Sequence, residues 1–329
     1  MQTQILKKKL SEVQTKIHNT IKDFIKVNIS VLPELAIACS GGLDSMVLLT
    51  AFAALYPKTK IHVLHCDHAW HSSSADIAEW LKDYCHELGV NFHMQRFSFK
   101  EDEKTENAAR ERRYQYFSEI CNEKDIQDLL LAHQLDDQVE TVLFRVFRGT
   151  SSYGLQGIPE QRLLTDSEHN EKIKIHRPLL GIEREDIAAY AEQNELEFKE
   201  DPSNSSLEYS RNRIRHEILP EAKKINPNIL NNVNRLSKIV AEEQDFIETH
   251  YQLSLAYLGK LPFDLKSFRK IHRVLQRKIL AEFFTSNMDF CNQFLDAIAE
   301  GGFHRINFSK GKFFTIKQKK IHLELEGEF

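Results

Sequence analysis

What is scarce in these 329 residues narrows the field before any motif is read. The five cysteines, Cys39, Cys66, Cys85, Cys121 and Cys291, are odd in number, scattered and without a CxxC pair. That argues for reduced thiols inside a cell and against a disulfide framework. No apolar run approaches the roughly 18 residues a membrane helix requires, and the opening MQTQILKKKLSEVQ is too polar after its lysines for a signal peptide. A cytoplasmic protein with no membrane partner is expected. Internal repeats and low-complexity segments are missing too. A net charge of −4 denies the chain a global basic signature for nucleic acid. Only local runs remain for that role: Lys7-Lys8-Lys9, Arg211 to Arg215, and the tail Lys310 to Lys320, each of which also reads as a solvated face. What is present, 41% hydrophobic and 28% charged residues, suits a soluble globular chain of two or three domains.

The stretch Leu35 to Leu49, LAIACSGGLDSMVLL, organises the rest. It reads as an apolar strand, a tight Ser40-Gly41-Gly42 turn, and a helix opening near Asp44-Ser45. Glycines let backbone N–H groups approach an anion, and the helix N-terminus adds partial positive charge. Ser40 and Ser45 add hydroxyl donors. No lysine follows the glycines, so this is not the GxxxxGK[ST] loop.

Before it, Ile5, Leu10, Val13, Ile17, Ile21, Phe24 and Ile25 recur at helical spacing and predict an amphipathic helix over 4–28. After it, Lys60 to Cys66 alternates as a second strand, a helix is expected from Ala75 to Leu88, and a third strand from Asn91 to Ser98. Strand alternating with helix means a parallel α/β sheet. The second strand ends in His65-Cys66-Asp67-His68-Ala69-Trp70-His71, which reads as a nucleotide-side loop at the strand's carboxyl end, as plain surface, or as a metal site.

Glu106 to Phe117 forms a helix on which Arg110, Arg113 and Phe117 share a face. Two arginines there suit a phosphate or leaving pyrophosphate, or they pair with Glu106 and Glu111. The apolar fourth strand, Asp128 to Ala132, reads as central and runs into His133-Gln134-Leu135-Asp136-Asp137-Gln138-Val139-Glu140. Read as helix, His133, Asp137 and Glu140 stand at i, i+4 and i+7, with Asp136 beside them. Three carboxylates next to a phosphate cradle repel one another unless a cation sits among them, which implies Mg²⁺ or a substrate ammonium.

The loop from Thr150 to Pro159 is rich in Gly and Ser and is expected to be mobile, and residues 160–176 read as irregular. A helix follows from Arg184 to Glu195, then the turn Asp201-Pro202-Ser203-Asn204, then a basic helix carrying Arg211, Arg213 and Arg215 that should stop before Pro220. Pro220 is taken as the domain border, giving 1–220 and 221–329. Beyond it, Asn228 to Leu258 and Leu265 to Phe284 read as two amphipathic helices, and a third lies near Asn292 to Ala299. Arg305 to Leu325, turning at Ser309-Lys310-Gly311-Lys312, closes the chain as a small β hairpin or meander.

Ser40-Gly41-Gly42-Leu43-Asp44-Ser45 resembles the SGGxDS loop of ATP pyrophosphatases, which split ATP into AMP and pyrophosphate. Taken in order, SGGLDS, HCDHAWH, ENAARERRYQYF, AHQLDDQVET, FRGT, HRPL, DPSN and RNRIRHEILP resemble the tRNA(Ile)-lysidine synthetase family, closely over 35–220 and loosely beyond. The resemblance implies a parallel-sheet PP-loop ATP pyrophosphatase domain followed by a mainly helical, tRNA-binding domain with a small β tail. It implies ATP and Mg²⁺, free L-lysine, and an isoleucine tRNA with a CAU anticodon, whose wobble cytidine is adenylated and then ligated to lysine at carbon 2.

Carried onto this chain, the resemblance assigns nucleotide binding to Ser40, Gly41, Gly42, Leu43, Asp44, Ser45, His65 and His133. Catalysis falls to Asp44, Arg113, Asp136, Asp137 and Glu140, metal binding to Asp44 and Asp137, and RNA or active-site-edge contacts to Arg211, Arg213 and Arg215. Which carboxylate meets metal and which meets lysine is open, as is the oligomeric state, a homodimer included. Family members often carry a Gly-Leu-Arg-like run where this chain has Ala69-Trp70-His71, and the chain resembles a shorter family form without a further carboxyl-terminal domain. The rivals are a tRNA-thiolating relative, an amide ligase of the same superfamily, and a nucleotide-binding regulator without catalysis.

Overall fold

In the computed structural model, residues 2–30, 32–70, 74–99, 105–164, 173–199, 210–282, 288–300, 305–309 and 312–325 are described. The expected features at His71, at Asp201-Pro202-Ser203-Asn204 and at Lys310-Gly311 lie outside these residues. The chain divides into two compact units, Met1–Lys238 and Ile239–Phe329.

In the first unit, β1 (Glu34–Ala38), β2 (Lys60–Asp67), β3 (Asn91–Arg96), β4 (Asp128–Leu130), β5 (Gln161–Leu163) and β6 (Lys174–His176) form one sheet in the order β3-β2-β1-β4-β6-β5. Every pairing is parallel except β5 with β6. The alternation within β1 explains the layering. Leu35 and Ile37 face one side, where they pack with Ile17 and Ile21 of α1 (Gln2–Asn28), Val47 and Leu48 of α2 (Leu43–Leu55), Leu81 of α3 (Ser74–Leu88), and Ile187 and Tyr190 of α7 (Arg184–Gln193). Ala36 faces the other side, with Leu64, Leu129, Ile175 and, from α4 (Glu106–Glu123), Phe117 and Cys121. α2 is apolar on all sides because it is buried on nearly all sides. Each fully buried aliphatic side chain in these layers contributes about 1.5–3 kcal/mol relative to exposure.

The chain runs β1, β2, β3 outward and then returns to place β4 on the opposite flank of β1. Strand order therefore reverses between β1 and β4. In open parallel sheets the crevice outside the carboxyl ends of two such strands is the ligand site. The loops leaving β1 and β4 are the glycine turn and the His133–Glu140 stretch.

Three expectations change in the first unit. Residues 160–176 contain β5 and β6, because a three-residue strand with one buried isoleucine, Ile175, is too short for a periodicity to register. His133 precedes α5 (Leu135–Phe147), whose N-cap is Gln134, so the helix carries Asp136, Asp137 and Glu140 but not the histidine. The basic helix also does not stop before Pro220. α8 (Ser210–Arg213) passes into a π-helical turn, Ile214–Ile218, and continues as α9 (Leu219–Ile225), with Pro220 in the first turn of α9. Inside a continuous helix a proline removes one backbone hydrogen bond and crowds the preceding turn, and the wider π turn just before it makes room for the ring. Ile214 and Leu219 pack with Leu135, Val139 and Leu230.

α6 (Ser152–Leu155) follows α5, and α10 (Ile229–Leu258) runs through the division between the units. In the second unit the stretch expected as one helix from Leu265 breaks at Ile271 into α11 (Leu265–Lys270) and α12 (Arg273–Ala281), the latter capped by the His272 side chain accepting from Val274 N–H. With α13 (Met288–Glu300), their apolar faces close on Phe268, Ile279, Phe294, Phe314 and Ile321. The last two come from an antiparallel sheet ordered β7 (Phe263–Asp264), β10 (Lys320–Leu325), β9 (Lys312–Lys317), β8 (Arg305–Ser309). The terminal β element is thus a meander completed by a strand from earlier in the chain.

Candidate active site

The glycine turn is held in shape from within. Gly41 sits at φ +85°, a conformation L side chains rarely adopt, and a Cβ there would press on the Ile77 side chain at 3.1 Å, so the turn favours glycine. Ser45 Oγ accepts from the Ser40 N–H at 3.2 Å and donates to the Gly42 carbonyl at 2.9 Å, cross-bracing the loop. Outside the loop, the Lys199 N–H donates to the Gly41 carbonyl at 2.9 Å. His65, buried at the carboxyl end of β2, donates through Nδ1 to the Cys39 carbonyl at 2.9 Å. Burial holds its pKa below the usual histidine value, so the ring is a neutral brace behind the loop. Leu43 and Asp44 occupy the first turn of α2.

Across the crevice, α5 presents its acids. Gln134 and Asp137 form a capping box: the Gln134 side chain accepts from Asp136 N–H, and Asp137 Oδ2 accepts from Gln134 N–H at 3.0 Å. This fixes Asp137 Oδ1 toward Arg215, whose Nη2 lies at 3.1 Å. Arg215 also grips Glu140 bidentately, Nε to Oε1 at 2.6 Å and Nη2 to Oε2 at 3.0 Å. Asp136 turns toward the other side, where its Oδ2 accepts from Arg184 N–H at 3.1 Å and Lys223 Nζ approaches its Oδ1 at 3.9 Å. The cation demanded by the acidic stripe is thus supplied in part by the protein itself.

Electrostatics set the carboxylates apart from ordinary acids. Burial and, next, the charge of Asp137 raise Asp44 to about 6, against the opposing pull of Arg184 and Arg215. Burial lifts Glu140 to about 7 despite the guanidinium beside it, and burial raises Asp137 as well. Asp44 Oδ1 is buried and has no hydrogen-bond partner among the described residues. An orphaned carboxylate oxygen beside a second acid suits Mg²⁺, which takes one or two carboxylates and completes its shell with phosphates and water. Among the described residues no group of three His, Cys, Asp or Glu side chains is placed to hold a metal by itself. The HCDHAWH loop accordingly carries no metal cluster within its described part.

Sequence reasoning missed a second layer. His133 Nδ1 accepts from Nε of Arg177 at 3.2 Å, and Arg177, fully buried, also donates to the Pro159 carbonyl at 2.7 Å. The guanidiniums of Arg110 and Arg162 lie over the Tyr114 ring, at 4.9 and 4.6 Å from its centroid. Arg177 stood within the HRPL segment, but its link to His133 crosses 44 positions and no local pattern signals it. Arg184 was read only as a helix start, yet its Nη1 lies 3.8 Å from Asp44 Oδ2. Of the predicted arginines, Arg113 meets His68 Nε2 at 3.2 Å, Arg211 lies over the Phe144 ring at 5.7 Å, and Arg213 is exposed and paired with Glu217 at 3.2 Å. The structure therefore gathers Asp44, Asp136, Asp137, Glu140 and Arg215, and leaves Arg213 outside the cluster.

His133 gives a pH prediction. Burial, with Arg177 the next cause, pushes its pKa down to about 3 from the ordinary histidine value of about 6.5. Between those values the unfolded chain binds the proton that the fold refuses. The stability it contributes is complete above about pH 6.5 and is lost as pH falls toward 3, with a limiting slope of ~1.4 kcal/mol per pH unit. His133→Asn should flatten that part of the stability profile, measured by urea unfolding between pH 4 and 7. A profile parallel to that of the parent would refute it.

Residues 10–222 match the PP-loop domain family. The chain is 33% identical over 248 residues to the bifunctional protein TilS/HprT of Listeria monocytogenes, covering 73% of this chain and 37% of that one. It is 36% identical over 212 residues to a tRNA(Ile)-lysidine synthase of Pseudomonas syringae, covering 64% and 46%. A tRNA(Ile)-lysidine synthase of Synechococcus is 32% identical over 268 residues, 79% of each chain. The chain thus spans less than half the length of the first two and about four-fifths of the third. Among solved structures, a U34-tRNA thiolase from Methanococcus maripaludis superposes with a TM-score of 0.59 at 17% identity over 70% of this chain and 80% of that one, a likeness of fold. With its glycine loop and acidic helix meeting at the strand-order reversal, and with a relative matched across most of both chains, this chain belongs to the PP-loop family and, within it, to the tRNA(Ile)-lysidine synthases.

Proposed function

We propose that the chain ligates free lysine to carbon 2 of the wobble cytidine in the CAU anticodon of tRNA(Ile), at the expense of ATP. The observation that carries this reading is the meeting of a braced phosphate loop, Ser40 to Ser45, with carboxylates of raised pKa, Asp44 and Glu140. Such a site can hold a polyphosphate on one side and accept a proton on the other.

In the first step the carbonyl oxygen at cytidine carbon 2 attacks the α-phosphorus of ATP, and the bond to the β-phosphate breaks. The loop N–H groups and the α2 N-terminus hold the departing pyrophosphate, with Arg113 as a further cation. Asp44 and Asp137 would hold Mg²⁺, which when bound neutralises phosphate charge. In the second step the lysine ε-amine attacks carbon 2, the carbon–oxygen bond breaks, and AMP leaves. The ammonium must first lose a proton. Glu140, near pH 7 in affinity, is matched to that task, and Asp136 and Asp137 supply negative charge to hold the cation.

Arg215, which bridges Asp137 and Glu140, is assigned to the active-site edge, and Arg211 and Arg213 to RNA contact. We assign residues 1–220 to the chemistry and 221–329 to holding tRNA, a division supported by the family match ending at residue 222. Thiolation is disfavoured by the thiols themselves. Cys66, Cys85 and Cys121 are pushed up to about 12 by burial, and Cys39 and Cys291 are also raised, so none is a ready sulfur carrier at neutral pH.

The test is incubation of the full chain with Mg-ATP, radiolabelled lysine and unmodified CAU-anticodon tRNA(Ile), following label into RNA and release of AMP. Lysine-dependent label in this tRNA, and none in the methionine tRNA, is the expected result. AMP release without label would reject lysine as the nucleophile, and intact ATP binding without turnover would favour a regulator.

A further inference from the structure

The acidic face of α5 does not end with Glu140. Phe144, half-buried against the cluster of Leu135, Val139 and Ile214, follows at i+4 and Phe147 at i+7, so aromatic side chains continue the face that carries Asp137 and Glu140, about 6 and 10 Å further along the helix axis. Phe147 is 60% exposed at the end of the helix. The arginines follow the same progression. Arg215 grips the carboxylates, Arg211 one turn before it lies over Phe144 at 5.7 Å, and Arg148 lies over the same ring at 5.2 Å.

The loop after α5 is tied to the helix by side-chain hydrogen bonds. Arg145 Nη1 donates to the carbonyls of Gly154 and Gly157, both at 2.9 Å. Gln138 closes the other side, donating to the Gln156 carbonyl at 3.2 Å and accepting from Ile158 N–H at 2.5 Å. Gly157 is required, since its φ is +66° and a Cβ would fall 2.5 Å from Gln138 Oε1. This anchoring holds Tyr153 outward, 63% exposed.

We propose that Phe144, Phe147 and Tyr153, with Arg148 and Arg211, form a stacking platform for the single-stranded nucleotides that flank the reacting cytidine. The proposal rests on the tRNA reading above. Charge complementarity selects RNA as the occupant: the exposed rings of Phe147 and Tyr153, next to guanidiniums that cover the half-buried Phe144, offer an unpaired strand rings for bases and cations for phosphates. The continuous helix face leads directly from the carboxylates to the platform, so a base at the first leaves its neighbours at the second.

The experiment uses the full chain and a fluorescent, unmodified CAU anticodon stem–loop RNA, with ATP affinity measured in parallel as a check on folding. Phe147→Ala with Tyr153→Ala should weaken RNA binding at least about tenfold, since base–aromatic stacking is worth about 1–3 kcal/mol per base, while Phe147→Trp should retain it. Arg148→Gln should lower the salt dependence by about one counterion. Unchanged RNA affinity in the double variant, with the parent binding well, would overturn the platform and leave the proposed function standing. A parent that binds no RNA would overturn both. If the double variant instead converts a dimer to a monomer in sedimentation while RNA binding persists, the surface joins two copies of this chain and the platform is rejected.

Discussion

Replacing Arg215 with methionine should destabilise the catalytic unit by about 3 kcal/mol and reduce lysine ligation by at least about a hundredfold. The side chain is roughly three-quarters buried and makes every close contact that neutralises Glu140 and the Arg-facing oxygen of Asp137. Methionine keeps much of the volume and removes the charge. What remains is two half-neutralised carboxylates in a site that already raises their pKa values. Their recourse is to take up a proton, which caps the penalty at low pH, so the loss should grow as pH rises past 7. A second substitution, Glu140→Gln, should recover part of the stability and none of the activity, because it relieves the unpaired charge while removing the proposed base. Both tryptophans, Trp70 and Trp80, belong to the first compact unit, so intrinsic fluorescence during urea unfolding reads that unit. An unchanged midpoint for the single variant would mean that solvent, rather than Arg215, satisfies these acids.

The arginine also marks where the sequence stops being legible. The glycine loop, the strand before it and the carboxylates after β4 could be read because each is a local pattern, a few residues whose spacing has one structural meaning. The alternation of β1 and the apolar periods of α1 and α2 likewise made the layering readable. Arg215 was visible as a basic residue one turn after Arg211 and on a different face from Arg213, but its partner acids lie 75 and 78 positions earlier, so nothing local shows which arginine face meets them. The π turn at Ile214–Ile218 hides a different feature, the continuation of the helix past Pro220, because its register departs from the 3.6-residue period. Periodicity arguments assume a constant 3.6 residues per turn and fail where that changes. Arg177 and His133 illustrate the same limit, since their contact is created when β6 pairs with β4. β6 is three residues long, and such a strand is specified by its neighbours rather than by its own sequence.

Asp44→Asn should separate the two demands that this site makes on a buried acid. Turnover should fall by about 10²–10³-fold, since the change removes one of the two carboxylates assigned to Mg²⁺ and places a neutral amide where the α2 N-terminus meets the phosphates. Stability in the metal-free protein should move the other way. The fold raises Asp44 to about 6, so between about pH 4 and 6 the folded protein holds a proton that the unfolded chain releases. Over that window stability falls as pH rises, and above it the ionised carboxylate carries the full penalty. Asparagine removes that penalty. Because the Asp44 side chain is about one-quarter exposed, the gain should be on the order of 1 kcal/mol at pH 7.5 in chelator, shrinking toward zero near pH 4. Adding Mg-ATP should reverse the order, stabilising the parent more than the variant, because ligand that binds only the folded state adds its own free energy. An acid that costs stability when alone and repays it when occupied is placed for binding rather than for folding. If the asparagine variant is instead less stable in chelator at every pH, Asp44 is held by Arg184 as a structural ion pair, and the metal assignment moves to Asp137 alone.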